Sequence, residues 1–67
     1  MGTQAEKFLR FPTVRSLTGL GRTRIYFLIS EGRFPRPVRL GPQSVVWLES
    51  EVPAWMQERI SERDQVI

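Results

Sequence analysis

The residues with the most chemistry to offer are two arginines at the head of an apolar-striped segment, "TGLGRTRIYFLISEG", Thr18 to Gly32. On a helical wheel Ile25, Leu28 and Ile29 fall together and must face a core. Thr23 and Phe27 point the opposite way, flanked by Arg24 on one side and by Tyr26 and Ser30 on the other. A helix from about Arg22 to Ser30 therefore opens on Arg22 and Arg24. The free amides of a helix N-terminus already carry partial positive charge. Cations there are mildly unfavourable unless an anion comes to meet them, so the chemistry this pattern suggests is anion recognition.

Other chemistry is poorly supplied. The chain of 67 residues has no cysteine and no histidine. That removes the usual bases, nucleophiles and zinc ligands. The "GLG" of residues 19–21 lacks the lysine and the spacing of a phosphate-binding glycine loop. The carboxylates fall on the exposed side of the last helix. We expect no enzymatic activity, no cofactor and no metal. No apolar run approaches the roughly 18 residues that span a bilayer, and "MGTQAEKFLRF" lacks the apolar core of a signal peptide. A cytoplasmic protein with no membrane partner is the simplest expectation.

Charge is distributed unevenly. The net value is only +3, but Lys7, Arg10, Arg15, Arg22, Arg24, Arg33, Arg36 and Arg39 precede Leu40 with Glu31 as the one acid among them. After Leu48 the balance reverses, with Glu49, Glu51, Glu58, Glu62 and Asp64 against Arg59 and Arg63. Such asymmetry suggests a polyanion-binding face; a merely solvated arginine-rich surface is the alternative.

The elements that must position these residues are short. Residues 1–7 read as a flexible leader, residues 8–64 as one folded domain and residues 65–67 as a frayed terminus. "FLRFP" is extended, because Pro12 disfavours the helical region for Phe11, and is compatible with a short strand. Thr13 can cap a first helix with Val14 and Leu17 inward and Leu20 just beyond; Gly19 ends it. Leu20-Gly21 form the turn into the second helix, and Gly32 closes that one. Pro35 and Pro37 exclude helix. Val38–Leu40 and Val45–Trp47 read as two strands about the turn "GPQS", a hairpin spanning 36–47 that carries Arg36 and Arg39. Ser50 caps a last helix over 51–62, with Pro53 in its first turn and Val52, Trp55, Met56 and Ile60 inward. Trp47 and Trp55 belong to the core. A domain this small buries only about 60% of its unfolded surface, so these aromatics must do much of the packing.

Two helices joined by a tight glycine-containing turn form a helix-turn-helix, and a basic hairpin after it is a wing. The expected fold is α+β, a small winged helix-turn-helix of three helices and a short β-hairpin, open to an added N-terminal strand. In such modules the second helix enters the DNA major groove by its N-terminal end, where Arg22 and Arg24 would meet phosphates or guanine edges.

The motifs "TGL", "R..IY.LI.EG.FP.PV.LG" and "W.ESEV..W..ER", together covering most of residues 8–64, resemble the AlpA family of small phage and prophage regulators. That family is similar in turn to winged helix-turn-helix regulators and phage excisionases. The resemblance implies sequence-specific binding of double-stranded DNA, in transcriptional control or as a directionality factor for site-specific recombination, with an integrase or another regulator as a further partner. Arg22 matches the arginine that commonly opens the second helix, Tyr26 the usual tyrosine, and Trp47 and Trp55 the two tryptophans. The chain departs from the pattern at Gly21, where serine is common; at Arg24, often Thr or Ser; at Phe27, often Arg or Lys; and at Gln43 in the wing turn, often Arg.

The candidate DNA-binding residues are therefore Arg22, Thr23, Arg24, Tyr26, Phe27, Arg36, Arg39 and Gln43. Tyr26 lies at the border of the core stripe, so packing and a phosphate hydrogen bond are both open to it. Phe27 suits a thymine methyl or a protein contact. Arg36 and Arg39 suit backbone phosphate, with minor-groove insertion as an option. The competing reading is a protein-binding module that uses Tyr26, Phe27 and the acidic last helix to modulate another regulator. The free chain is expected to be a monomer that assembles cooperatively only on DNA.

Overall fold

The computed structural model describes residues 6–65. The order is β1 (Phe8–Leu9), α1 (Phe11–Thr18), α2 (Arg22–Ser30), β2 (Val38–Gly41), β3 (Ser44–Leu48) and α3 (Glu51–Gln65). Three helices pack around a small antiparallel sheet of order β1-β3-β2. This is the expected α+β architecture, and the added N-terminal strand is present: Phe8 pairs with Leu48 and Leu9 with Trp47.

Helix α1 starts three residues earlier than the sequence suggests. Phe11 is helical and Thr13 is not the cap; Arg10 holds that position in extended conformation, and its carbonyl accepts the amides of Thr13 and Val14. Pro12 fits because the first helical amides have no intrahelical acceptor and the ring's fixed φ is already helical. Gly19 ends the helix at φ 76° as expected, its amide bonded to the Arg15 carbonyl. The turn is stitched by Thr18, whose hydroxyl donates to the Val14 carbonyl at 2.8 Å and accepts the Leu20 amide at 3.2 Å. Helix α2 has the expected bounds. It ends on Gly32 at φ 70°, with the Arg33 amide on the Leu28 carbonyl and the Gly32 amide on that of Ile29, the paired bonds of a Schellman motif.

In the hairpin Val38 pairs with Val46, Arg39 with Val45 and Gly41 with Ser44, about the turn Pro42-Gln43. The register shifts between Arg39 and Gly41, which leaves Leu40 as the extra residue of a bulge. Arg36 lies before β2, between two prolines, and not on the hairpin as expected. Pro35 and Pro37 cannot donate to a ladder, so pairing begins only at Val38.

The core consists of Val14, Ile25, Phe34, Trp47 and Val52, with Leu9, Phe11, Leu20, Leu28, Ile29, Val45, Trp55 and Met56 packed around it. Two expected core residues are on the surface instead. Leu17 is 44% exposed and Ile60 40% exposed. Trp55 is only partly buried. Phe34, in the proline-rich linker, was not expected and is nearly fully buried, edge-on to Trp55 at 4.8 Å between centroids. Helix α3 runs to Gln65, beyond the expected 62.

Ser50 stands directly before α3, its hydroxyl donates to the Glu6 carboxylate at 3.2 Å, and the third helical residue, Pro53, has no amide to offer it. Of the expected leader only Glu6 and Lys7 are described, and the Glu49 amide donates to the Lys7 carbonyl at 2.8 Å. The rest of that leader, and Val66 and Ile67 of the expected frayed end, lie outside the described residues. Among the described residues no helix is long and apolar enough to cross a membrane.

Candidate nucleic-acid interface

Helix α2 buries Ile25, half-buries Leu28 and Ile29, and leaves Arg22, Thr23, Arg24, Tyr26 and Phe27 exposed. Gly21, in extended conformation, precedes it without a side-chain cap, and no acid sits in the first turn. The exposed face thus begins with free amides and two guanidinium groups, as the sequence suggests. Phe27 is 46% exposed, with the Arg24 guanidinium 5.7 Å above its ring. Tyr26 is 37% exposed and meets the Trp47 indole edge-on at 6.2 Å. Its ring packs on the core, and the side chain still reaches water.

The sheet aligns the wing with this helix. Directly opposed residues in an antiparallel pair share a face. Arg39 therefore lies on the face of Val45, and Trp47, two residues on, shares it. That is the face on which Tyr26 of α2 packs, so Arg39 and α2 occupy the same side of the sheet. Gln43 is exposed in the turn next to it. At the other end of α2 the Arg22 guanidinium stands 4.3 Å above the Phe11 ring, and the neighbouring Arg10 donates to the Ser44 hydroxyl at 3.0 Å, beside the same turn. The N-terminus of α2, the N-terminus of α1 and the tip of the hairpin are thus linked in one chain of contacts. Arg10 and Phe11 were not among the candidates; an aromatic near two arginines is too common in sequence to have singled them out. The opposite face of β3 carries Ser44, Val46 and Leu48, and Val46 is only 1% exposed there.

Arg36 is exposed on the linker, which two indoles hold in place. The Trp47 N–H donates to the Pro35 carbonyl at 3.0 Å and the Trp55 N–H to the Arg33 carbonyl at 2.7 Å. Phe34 enters the core between those two carbonyls, so Arg36 emerges from a pinned strand of chain.

The arginines divide into two electrostatic groups. Arg33 pairs with Glu31 at 3.4 Å, Arg59 with Glu62 at 2.7 Å, and Arg63 with Asp64 at 2.8 Å. Among the described residues Arg10, Arg15, Arg22, Arg24, Arg36 and Arg39 form no ion pair. The paired group neutralises itself, whereas the charge of the second group is open to an external anion. A groove of about 640 Å³ lies elsewhere, between residues 32–35 and α3. Its lining carries Glu51, Glu58 and Glu62 against Arg33 and Arg59, both already paired with acids, so it offers no open cation to phosphate.

Residues 7–60 match the family described as prophage CP4-57 regulatory protein (AlpA). Over 61 residues the chain is 34% identical to the DNA-binding transcriptional activator AlpA of Escherichia coli K12, covering 82% of this chain and 87% of AlpA. Over 58 residues it is 55% identical to an uncharacterized protein, ORF88, of Enterobacteria phage P4, covering 87% of this chain and 66% of ORF88.

Proposed function

Because the chain belongs to the AlpA family of prophage regulatory proteins, we propose that it regulates transcription by binding specific double-stranded DNA, with α2 in the major groove and the hairpin along the backbone or minor groove. The observation that carries this reading is that α2, β2 and Arg36 on the linker between them present four exposed arginines, none of which forms an ion pair among the described residues. Unpaired surface guanidinium groups form charge-assisted, bidentate bonds to phosphate and to guanine edges.

The roles follow from place. Arg22 and Thr23, at the start of α2, meet the phosphate backbone together with the free amides of that turn. Arg24 and Phe27, one turn apart on the outward face, read bases: the guanidinium a guanine edge, the ring a thymine methyl. The Tyr26 hydroxyl donates to phosphate while its ring stays on Trp47. Arg36, Arg39 and Gln43 hold the flank through sugar and phosphate, which fix register without reading sequence.

Titration of the native chain onto a duplex from the region upstream of its own gene, against a scrambled duplex of equal length, tests the reading. A clear preference for the upstream duplex at about 150 mM salt is expected. Equal, weak binding of both would leave only a non-specific cation. No binding to either would move Tyr26, Phe27 and α3 to the centre of a protein-binding function.

A further inference from the structure

We infer that Phe11 is a positioning residue for Arg22, fixing its guanidinium at the head of α2 in the orientation that meets DNA. This rests on the DNA-binding reading above. Phe11 is the first residue of α1 and is packed against the core, so its ring is held by the fold. The Arg22 guanidinium carbon lies 4.3 Å from the ring centroid, the shortest such distance among the described residues. A contact of this kind engages the flat face of the guanidinium and leaves the N–H donors on its edge free. A carboxylate in the same place would occupy those donors and cancel the charge. Phe11 therefore orders the arginine without neutralising it.

The contrast with Arg24 supports the assignment. Its guanidinium lies 5.7 Å above Phe27, a ring on the same helix that is itself half exposed. Arg22 is instead held by a different helix, across the turn, on a ring anchored in the core. Immobilising a long side chain on binding is costly, and a side chain ordered beforehand avoids part of that cost.

A double-mutant cycle tests the role. Native chain, Phe11→Leu, Arg22→Ala and the double variant are titrated by fluorescence anisotropy onto a labelled duplex selected by the native chain and onto a mixed-sequence duplex. With Arg22 present, Phe11→Leu should weaken binding about two- to five-fold, the scale of one exposed cation–π contact. With Arg22→Ala in place it should have no effect, and Phe11→Tyr should bind as the native chain does. Equal losses in both backgrounds, or none, would overturn the positioning role. Should Phe11→Leu fail to fold, the free native chain gives an independent readout. The Arg22 side-chain protons should show an upfield ring-current shift in the proton spectrum, kept in Phe11→Tyr, and its absence would overturn the inference. Binding without coupling sinks the role of Phe11 alone, whereas no binding to either duplex by the native chain sinks the DNA reading and this role with it.

Discussion

At the residue scale the two tryptophans set the positions of much else. Each buries apolar surface and spends its one donor on the linker, Trp47 on the Pro35 carbonyl and Trp55 on that of Arg33. Trp47→Ala should cost about 3–5 kcal/mol, for the cavity and the lost transfer energy. Trp55→Phe should cost about 1 kcal/mol through the orphaned carbonyl. Thermal unfolding checks both, and an unchanged melting temperature for Trp47→Ala would contradict its place in the core. Phe27 makes a separate prediction. If its ring meets a thymine methyl, replacing that thymine by uracil should weaken the native chain about four-fold, from the loss of one apolar group, and leave Phe27→Ala unaffected. The burial of Trp47 and the exposure of Phe27 were legible from alternation and helical spacing. Phe34 was not, because a proline-rich linker has no period to show which side chain turns inward. Nor were the indole bonds, since a donor's partner depends on tertiary placement.

At the scale of elements, legibility follows the punctuation. Helix α2 has the bounds the sequence suggests because Gly21 and Gly32 bracket it. Gly19 and Gly32 have positive φ with open space around them. Gly19→Ala should therefore cost about 1 kcal/mol from backbone strain alone. Gly21 is extended, with nothing within 4 Å of a Cβ placed there. Gly21→Ser should stabilise α2 by a few tenths of a kcal/mol by supplying the missing cap. Denaturant titration of both variants checks the opposite signs. The apolar stripes were less dependable. A period shows which side of a helix is apolar, not how far its neighbours extend, and Leu17 and Ile60 stay exposed. Leu17→Ala should accordingly cost under about 1 kcal/mol, while Val14→Ala, fully buried one turn earlier, should cost about 2 kcal/mol.

At the scale of the molecule, charge is sorted by fold as well as by sequence. Among the described residues the arginines of α1, α2 and β2, with Arg10 and Arg36, form no ion pair, whereas those of α3 are paired with its own acids. Beyond Met56, α3 is almost wholly exposed and offers no sustained heptad seam to zip two copies. Sedimentation of the free chain at tens of micromolar should therefore show a monomer; a stable dimer would point to Phe27 or to Ile60 as its contact. The central claim is that α2 reads sequence while the wing supplies charge, and one comparison tests it most directly. Arg24→Ala and Arg39→Ala are each titrated onto a selected and a scrambled duplex over a range of salt concentrations. Arg24→Ala should cost roughly 1–3 kcal/mol on the selected duplex and relax preference at one or two base pairs. Arg39→Ala should weaken both duplexes about equally and lower the salt slope by about one. Indistinguishable losses for the two variants on both duplexes would contradict the division between a reading helix and a backbone-binding wing.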